Sequence, residues 1–342
     1  MLSLVKVKRE RPKARDEVTD LVGRMEVALR TCSRKLGDPV DSYLHIGTGF
    51  PQLSVNLSEL RNYLGRAKTR AELERALEEA DIKIIRDYSS FFTVGGKLVI
   101  PGSSIRGNVR SRIELSFVPK DGTVRSCLAR TTRQPVSPPP HGAQGWRHFR
   151  IWSKALNFAR EEPCDYSEGE GGVCLVCDLF GTAGLQGLIN FSDFVGVSVD
   201  RATLMYLDLP TGEKLEAVPP GSTFLGRVEF RNLRPAELGL LLYGMGLRNS
   251  REGRPVLLGK HKYRRPGVVL GVVRYSVNSL ELAELSKPLK VRDITVTPRG
   301  KVSGDALDRL IEALISTTRK EFGDELEDID EVGELERIEA NA

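Results

Sequence analysis

The chain has 342 residues and a formal net charge of +5, with 40% hydrophobic and 28% charged residues; this length supports one large or two modest domains with a real core. It shows no apolar run long enough to span a bilayer and no N-terminal signal pattern, so the expectation is a cytoplasmic protein with no membrane partner. Five cysteines at uneven spacing do not form a secreted disulfide framework.

The charge is unevenly spread. Residues 321–342 hold ten acidic residues and one arginine, which leaves 50 basic and 36 acidic residues in the first 320, a net of +14. A basic body suits a polyanion-binding protein, and the acidic tail reads as disordered. Heavy use of Arg and Glu also fits a thermophilic source.

In chain order, residues 1–18 read as a flexible basic arm. Val18 to Cys32 alternates as a first strand, with Val22, Met25, Val27 and Leu29 near a period of two. In Tyr43-Leu44-His45-Ile46-Gly47-Thr48-Gly49 the glycines allow close approach of a phosphate, and His45 reads either as an RNA contact or as a satisfied structural histidine. Residues 51–80 read as a helical insertion: Leu57, Leu60 and Leu64 suggest a short helix. Thr69 to Glu72 fits a capping box ahead of Leu73, Ala76, Leu77 and Ala80. Asp81 to Asp87 follows, with a carboxylate at each end.

The central stretch is Val99 to Glu114. A β-branched run ends at Pro101, Gly102-Ser103-Ser104 turns the chain, and Ile105, Val109 and Ile113 give a helix one apolar face. Ser103 or Ser104 is the expected cap. Arg106 and Arg110 share a face, and a basic helix start after a small-residue turn is an anion site in outline.

Residues 119–180 form an irregular lid containing Cys174-Leu175-Val176-Cys177, with Cys164 upstream and His141 and His148 nearby. CxxC places two thiolates on one side of a tight turn, and a third Cys with one of the two histidines would close a structural Zn²⁺ site as Cys₃His. A redox CxxC is the other reading, and Cys32 and Cys127 look unrelated. Leu188 to Phe191 reads as a strand and Asp193 as a strand-end cap. Residues 197–222 read as a β-hairpin, Phe224 to Phe230 as a strand and Pro235 to Met245 as a second core helix. Lys260, His261, Lys262, Tyr263, Arg264 and Arg265 lie between Gly259 and Gly267, a loop whose cations suit phosphates and whose Tyr263 suits a base. Val268 to Tyr275 is the last expected strand, followed by a helical extension over 276–320 with an amphipathic helix from 303.

IPGSSIRGNVRSRIE resembles the IPGSSLKGxxRSxxE signature of the RAMP superfamily of CRISPR-associated proteins, and within it the repeating backbone subunits of type III-A (Csm) effector complexes. Further similar segments are HIGTG at 45–49, DIKIIRD at 81–87, CLVCDLFG at 174–181 with FSD at 191–193, and VDRATL at 199–204. The resemblance implies an α+β fold with a ferredoxin-like, RRM-like βαββαβ core. Residues 19–50 and 81–118 would form its first part and 181–275 its second, the 197–222 hairpin being a thumb that presses between bases. It implies that Arg106, Arg110 and the late basic loop, with His45, Gly47, Ser103 and Ser104, hold CRISPR guide RNA independently of sequence. Asp81 would cleave single-stranded target RNA with Mg²⁺ or another divalent ion, among further copies of the chain and other complex subunits. A non-catalytic scaffold and a metal-independent guide-processing nuclease using His45 are the alternatives.

Overall fold

Alternation decides the first elements. Val5 and Val7 turn inward from β1 (Ser3–Val7), as do Leu21, Met25, Val27 and Leu29 from β2 (Leu21–Thr31). A computed structural model describes residues 3–340 except 36, 56–60, 63–64, 84, 130–137, 144, 211 and 264–267; at 50–55, 77–83 and 85–87 it describes the backbone alone.

Next come β3 (Gly47–Val55), α1 (Arg70–Lys83), β4 (Ile85–Phe91), β5 (Thr93–Val94), β6 (Lys97–Ile100) and the central helix α2 (Gly102–Ser116). The lid carries β7 (Thr123–Val124), α3 (Trp146–Ile151), α4 (Ser153–Leu156), β8 (Phe158–Arg160) and α5 (Leu175–Phe180). β9 (Ile189–Phe191), β10 (Phe194–Gly196), the hairpin β11 (Met205–Asp208) and β12 (Lys214–Ala217), β13 (Thr223–Leu233), α6 (Pro235–Gly244), β14 (Val256–Leu257) and β15 (Val272–Leu282) follow. The chain closes with β16 (Leu289–Val291), β17 (Ile294–Val296), β18 (Lys301–Ser303), α7 (Gly304–Phe322) and α8 (Glu331–Ala340).

The result is an α+β protein with several sheets. The largest has nine strands in the order β14-β15-β2-β13-β10-β6-β5, with β18 on β15 and β9 on β13. Its three long strands, β15, β2 and β13, are antiparallel neighbours, with Met25 opposite both Val228 and Leu280. Helices α2 and α6 pack together; a Cβ on Gly244 would stand 2.6 Å from Ile113 of α2, so only glycine permits that approach. Helix α7 lies along α6 and buries Leu307, Leu310, Ile311, Leu314 and Ile315, the stripe expected from its period. A second sheet, β11-β12-β4-β3, joins the hairpin to the segment around residue 50. Among the described residues no helix is long and apolar enough to cross a membrane.

Four expectations change. The arm at 1–18 is built in: β1 pairs in parallel with β7 and β8, and Lys13 and Arg15 reach Glu237 and Asp178. Asn232, at φ +53°, holds the same segment by accepting from the amides of Thr19 and Asp20 and donating to the carbonyls of Ala14 and Glu17. The insertion is partly β-structure, since β3 runs to Val55; the helix expected around Leu57, Leu60 and Leu64 lies outside the described residues. The final core strand continues to Leu282, into the region expected to begin a helical extension. The acidic tail folds as α8, because Val332 and Leu335 pack against Trp152 and Leu257 while its acids find arginines.

Candidate functional site

Helix α2 divides the site. At 100° per residue, Ser104, Gly107, Asn108 and Ser111 fall on one side and Arg106 and Arg110 on the other. The first side forms one wall of a cleft of about 320 Å³. His45, Ile46 and Gly47 form a second wall, and Leu258, Gly259, Lys260 and Lys262 a third. The two loops touch: the Lys260 amide donates to the His45 carbonyl at 3.4 Å, and a Cβ on Gly259 would stand 2.7 Å from that oxygen. Gly259 sits at φ +88°, a second reason for glycine there.

Within the cleft His45 is buried, and its Nδ1 lies 2.5 Å from the Glu216 carbonyl. A carbonyl only accepts, so Nδ1 carries the proton and Nε2 is an acceptor, without a hydrogen-bond partner among the described residues. Burial lowers the His45 pKa, which keeps the ring neutral. Lys260 pairs with Glu213 from the β11–β12 turn. Lys262 has no ion-pair partner among the described residues, and burial brings its pKa down to about 8. Asn108 is satisfied internally by Leu257, Arg112 and Tyr275.

The other side of α2 faces the lid. Arg106 donates to the Phe180 carbonyl; Arg110 donates to Glu114 at 2.7 Å, to the Gly181 carbonyl at 2.7 Å and to the Cys177 sulfur at 3.3 Å. These two arginines hold the lid and do not face the cleft. Nor is the α2 N-terminus open or capped by Ser103 or Ser104: Asp193 takes the Gly102 amide at 2.8 Å, and Ser103 is exposed. Tyr263 is packed too, edge-on to His148 at 4.9 Å and accepting from Trp152 Nε1 at 3.3 Å. Arg264 and Arg265 lie outside the described residues. Asp81 falls in the last turn of α1, and its side chain lies outside them as well.

Beneath Arg110 the sulfurs of Cys127, Cys164, Cys174 and Cys177 lie within 4.8 Å of one another, all buried. The candidate metal set is therefore four cysteines. Cys127 takes the place expected for a histidine: His148 stands edge-on to Tyr263, and His141 lies against Trp146 at 4.3 Å. The fit to zinc is good. Zn–S bonds near 2.3 Å in a tetrahedron separate sulfurs by about 3.8 Å; here Cys127–Cys177 is 3.4 Å and Cys174–Cys127 is 3.7 Å. Amides of Cys127, Cys174 and Cys177 point at the sulfurs of Cys174, Cys164 and Cys174. Thiol–thiol hydrogen bonding pulls Cys164 below the ordinary thiol range and pushes Cys174 and Cys177 above it. Arg110 and buried Arg160 place positive charge next to the cluster, Arg110 beside Cys177 and Cys127 and Arg160 beside Cys127 and Cys174. The cluster can hold a metal such as zinc, with no position left open for catalysis. A count would have pointed to Cys127, since four of the five cysteines fall within 119–180.

The RAMP superfamily profile matches residues 40–331, and the chain belongs to that superfamily, whose members work with RNA in multi-subunit CRISPR complexes. A crystal structure of Csc2 from Thermofilum pendens matches with a TM-score of 0.32 at 12% identity, over 94% of this chain and 82% of that one, a likeness too distant to carry an argument. No curated protein matches.

Proposed function

We propose that the chain is a repeating backbone subunit of a type III CRISPR effector complex and holds single-stranded guide RNA in the cleft between α2, the His45–Gly47 loop and the Gly259–Lys262 loop. The carrying observation is the convergence of these three segments in a protein of the RAMP superfamily. Small residues on α2 let a ribose-phosphate chain lie close, Lys260 and Lys262 supply charge, and Nε2 of His45 is an acceptor suited to a 2′-hydroxyl. The strand order β15-β2-β13-β10, with α2 entering between β2 and β10 in sequence and α6 between β13 and β15, supports a ferredoxin-like core. Met205 and Tyr206, 45% and 64% exposed on the hairpin, support its use as a wedge between bases.

Target cleavage by Asp81 with a divalent ion belongs to the same proposal and rests on the similarity of residues 81–87 to the family's segment. The test is a complex reconstituted with guide and complementary RNA. Regularly spaced cuts that vanish with Asp81→Ala or with EDTA, while guide binding persists, are the expected result. Intact cutting in Asp81→Ala overturns the catalytic role; no cutting in the unmodified complex leaves the scaffold reading.

A further inference from the structure

The lid carries a run of cations, and not all of them serve the cleft or the cysteine site. Residues 141–160 contain Arg147, Arg150, Lys154 and Arg160 and no acidic residue. Arg160 is buried among the carbonyls of Glu114, Phe117 and Ser126. Lys154 pairs with Glu327. Arg147 and Arg150, three apart on α3 and so on neighbouring positions of its surface, have no ion-pair partner among the described residues. Half-buried Trp146 opens the same helix, with the ring of exposed His141 edge-on to it at 4.3 Å.

This surface is tied to the cleft through one side chain. Lys262 lines the cleft, and its ammonium lies 5.2 Å from the ring centre of Tyr263. That ring meets His148 of α3 at 4.9 Å, and its hydroxyl accepts from Trp152 at the end of α3. Tyr263 therefore joins the basic loop to the lid helix.

We infer that the outer face of α3 is a second contact surface for single-stranded RNA, continuing the track out of the cleft, with Arg147 and Arg150 on phosphates and Trp146 on a base. This rests on the cleft being an RNA site. Unpaired guanidinium groups beside an accessible aromatic ring are the combination that binds single strands without reading sequence, phosphates by charge and bases by their faces. An acidic protein surface would satisfy the arginines but would leave Trp146 without a role.

The test uses the full chain, zinc-loaded, with a uridine 20-mer and a uridine 4-mer, read by anisotropy and by tryptophan quenching. Arg147→Glu with Arg150→Glu is expected to weaken the 20-mer roughly tenfold and the 4-mer hardly at all, with Lys at both positions restoring most of the loss. Trp146→Phe is expected to remove most of the quenching. Unchanged 20-mer affinity in the double Glu variant, or quenching of the same amplitude without Trp146, overturns the inference. If Lys260→Glu with Lys262→Glu abolishes binding of the 4-mer while the lid variants change nothing, the cleft stands and the lid surface falls. If the unaltered chain binds neither RNA, the cleft reading falls first.

Discussion

The two sides of α2 put the same helix to opposite uses. The side with arginines is closed: Arg106 and Arg110 are occupied by the carbonyls of Phe180 and Gly181, by Glu114 and by Cys177. The side with small residues, Ser104, Gly107 and Ser111, is open to the cleft. A Cβ added at Gly107 would meet nothing within 4 Å, whereas one at Gly102 would strike the Phe191 carbonyl. Charge on a helix does not by itself mark the side that meets a polyanion. Here the guanidinium groups offset a buried carboxylate and a sulfur cluster, and the side proposed to meet the ligand carries small residues instead.

The largest expected effect falls on the closed side. Structural zinc contributes apparent binding energies of about 10–16 kcal/mol in small zinc-dependent folds, so stripping the metal should collapse the lid. One zinc per chain is expected by elemental analysis. Cys127→Ser should lose it and melt well below the unaltered protein, while His148→Ala and His141→Ala keep it. A histidine variant that loses zinc while Cys127→Ser retains it would restore the Cys₃His set.

Next comes Arg110→Ala. Glu114 is 1% exposed, and the loss of its partner leaves a buried carboxylate whose pKa burial already raises. Removing one member of a buried pair costs about 3–5 kcal/mol, visible as a lower denaturation midpoint. Affinity for RNA per folded molecule should not change. A folded Arg110→Ala protein with RNA affinity reduced tenfold would return this arginine to the binding site.

Much of the division was legible and part was not. Period and alternation mark β2, α2 and α7, because one buried face per element suffices to mark them; α6 is buried on every side and is marked by its run of leucines after Pro235. The HIGTG and GKHKY segments read as ligand loops, and they meet. The direction of Arg106 and Arg110 was not legible, because it depends on which neighbour lies on each side of α2, and that neighbour is α5 with the glycine that ends it, about seventy residues later. Tyr263 misled for a similar reason: its place in a basic loop suggested stacking on RNA, but Trp152 and His148, far away in sequence, had the prior claim. The arm and tail looked disordered by charge, yet Lys13, Arg15 and Glu331 each have a partner more than 150 residues distant.

On the open side the expected effects are smaller and act on binding. Lys262→Glu should weaken single-stranded RNA by about tenfold and flatten the slope of log affinity against log salt by about 0.7, the value for one phosphate contact on a single strand. Affinity is read per folded molecule, because the burial that lowers the Lys262 pKa also penalises a glutamate there, next to Glu331, and should lower the melting temperature somewhat. A weakened affinity with an unchanged salt slope would mean the substitution acts through shape rather than charge.

The smallest effect is a pH dependence that the two sides do not share. The Lys262 pKa is brought down to about 8, chiefly by burial, with Arg112 adding to the fall and Glu331 opposing it. Its positive form is therefore complete well below pH 8 and is lost as pH rises through that value. RNA affinity should fall severalfold between pH 7 and pH 9, and Lys262→Gln should flatten that profile. The contribution to stability has the opposite sign. Between about pH 8 and the ordinary lysine value near 10.4 the unfolded chain binds the proton that the folded chain has released, so this residue makes the fold more stable as pH rises through that window. Affinity and melting temperature should thus move apart in the unaltered protein, and Lys262→Gln should remove this residue's share of both trends. A pH profile for RNA binding that is the same in Lys262→Gln would show that the proposed phosphate contact is made by another group, and the cleft would lose the one cation that its walls leave without an ion pair among the described residues.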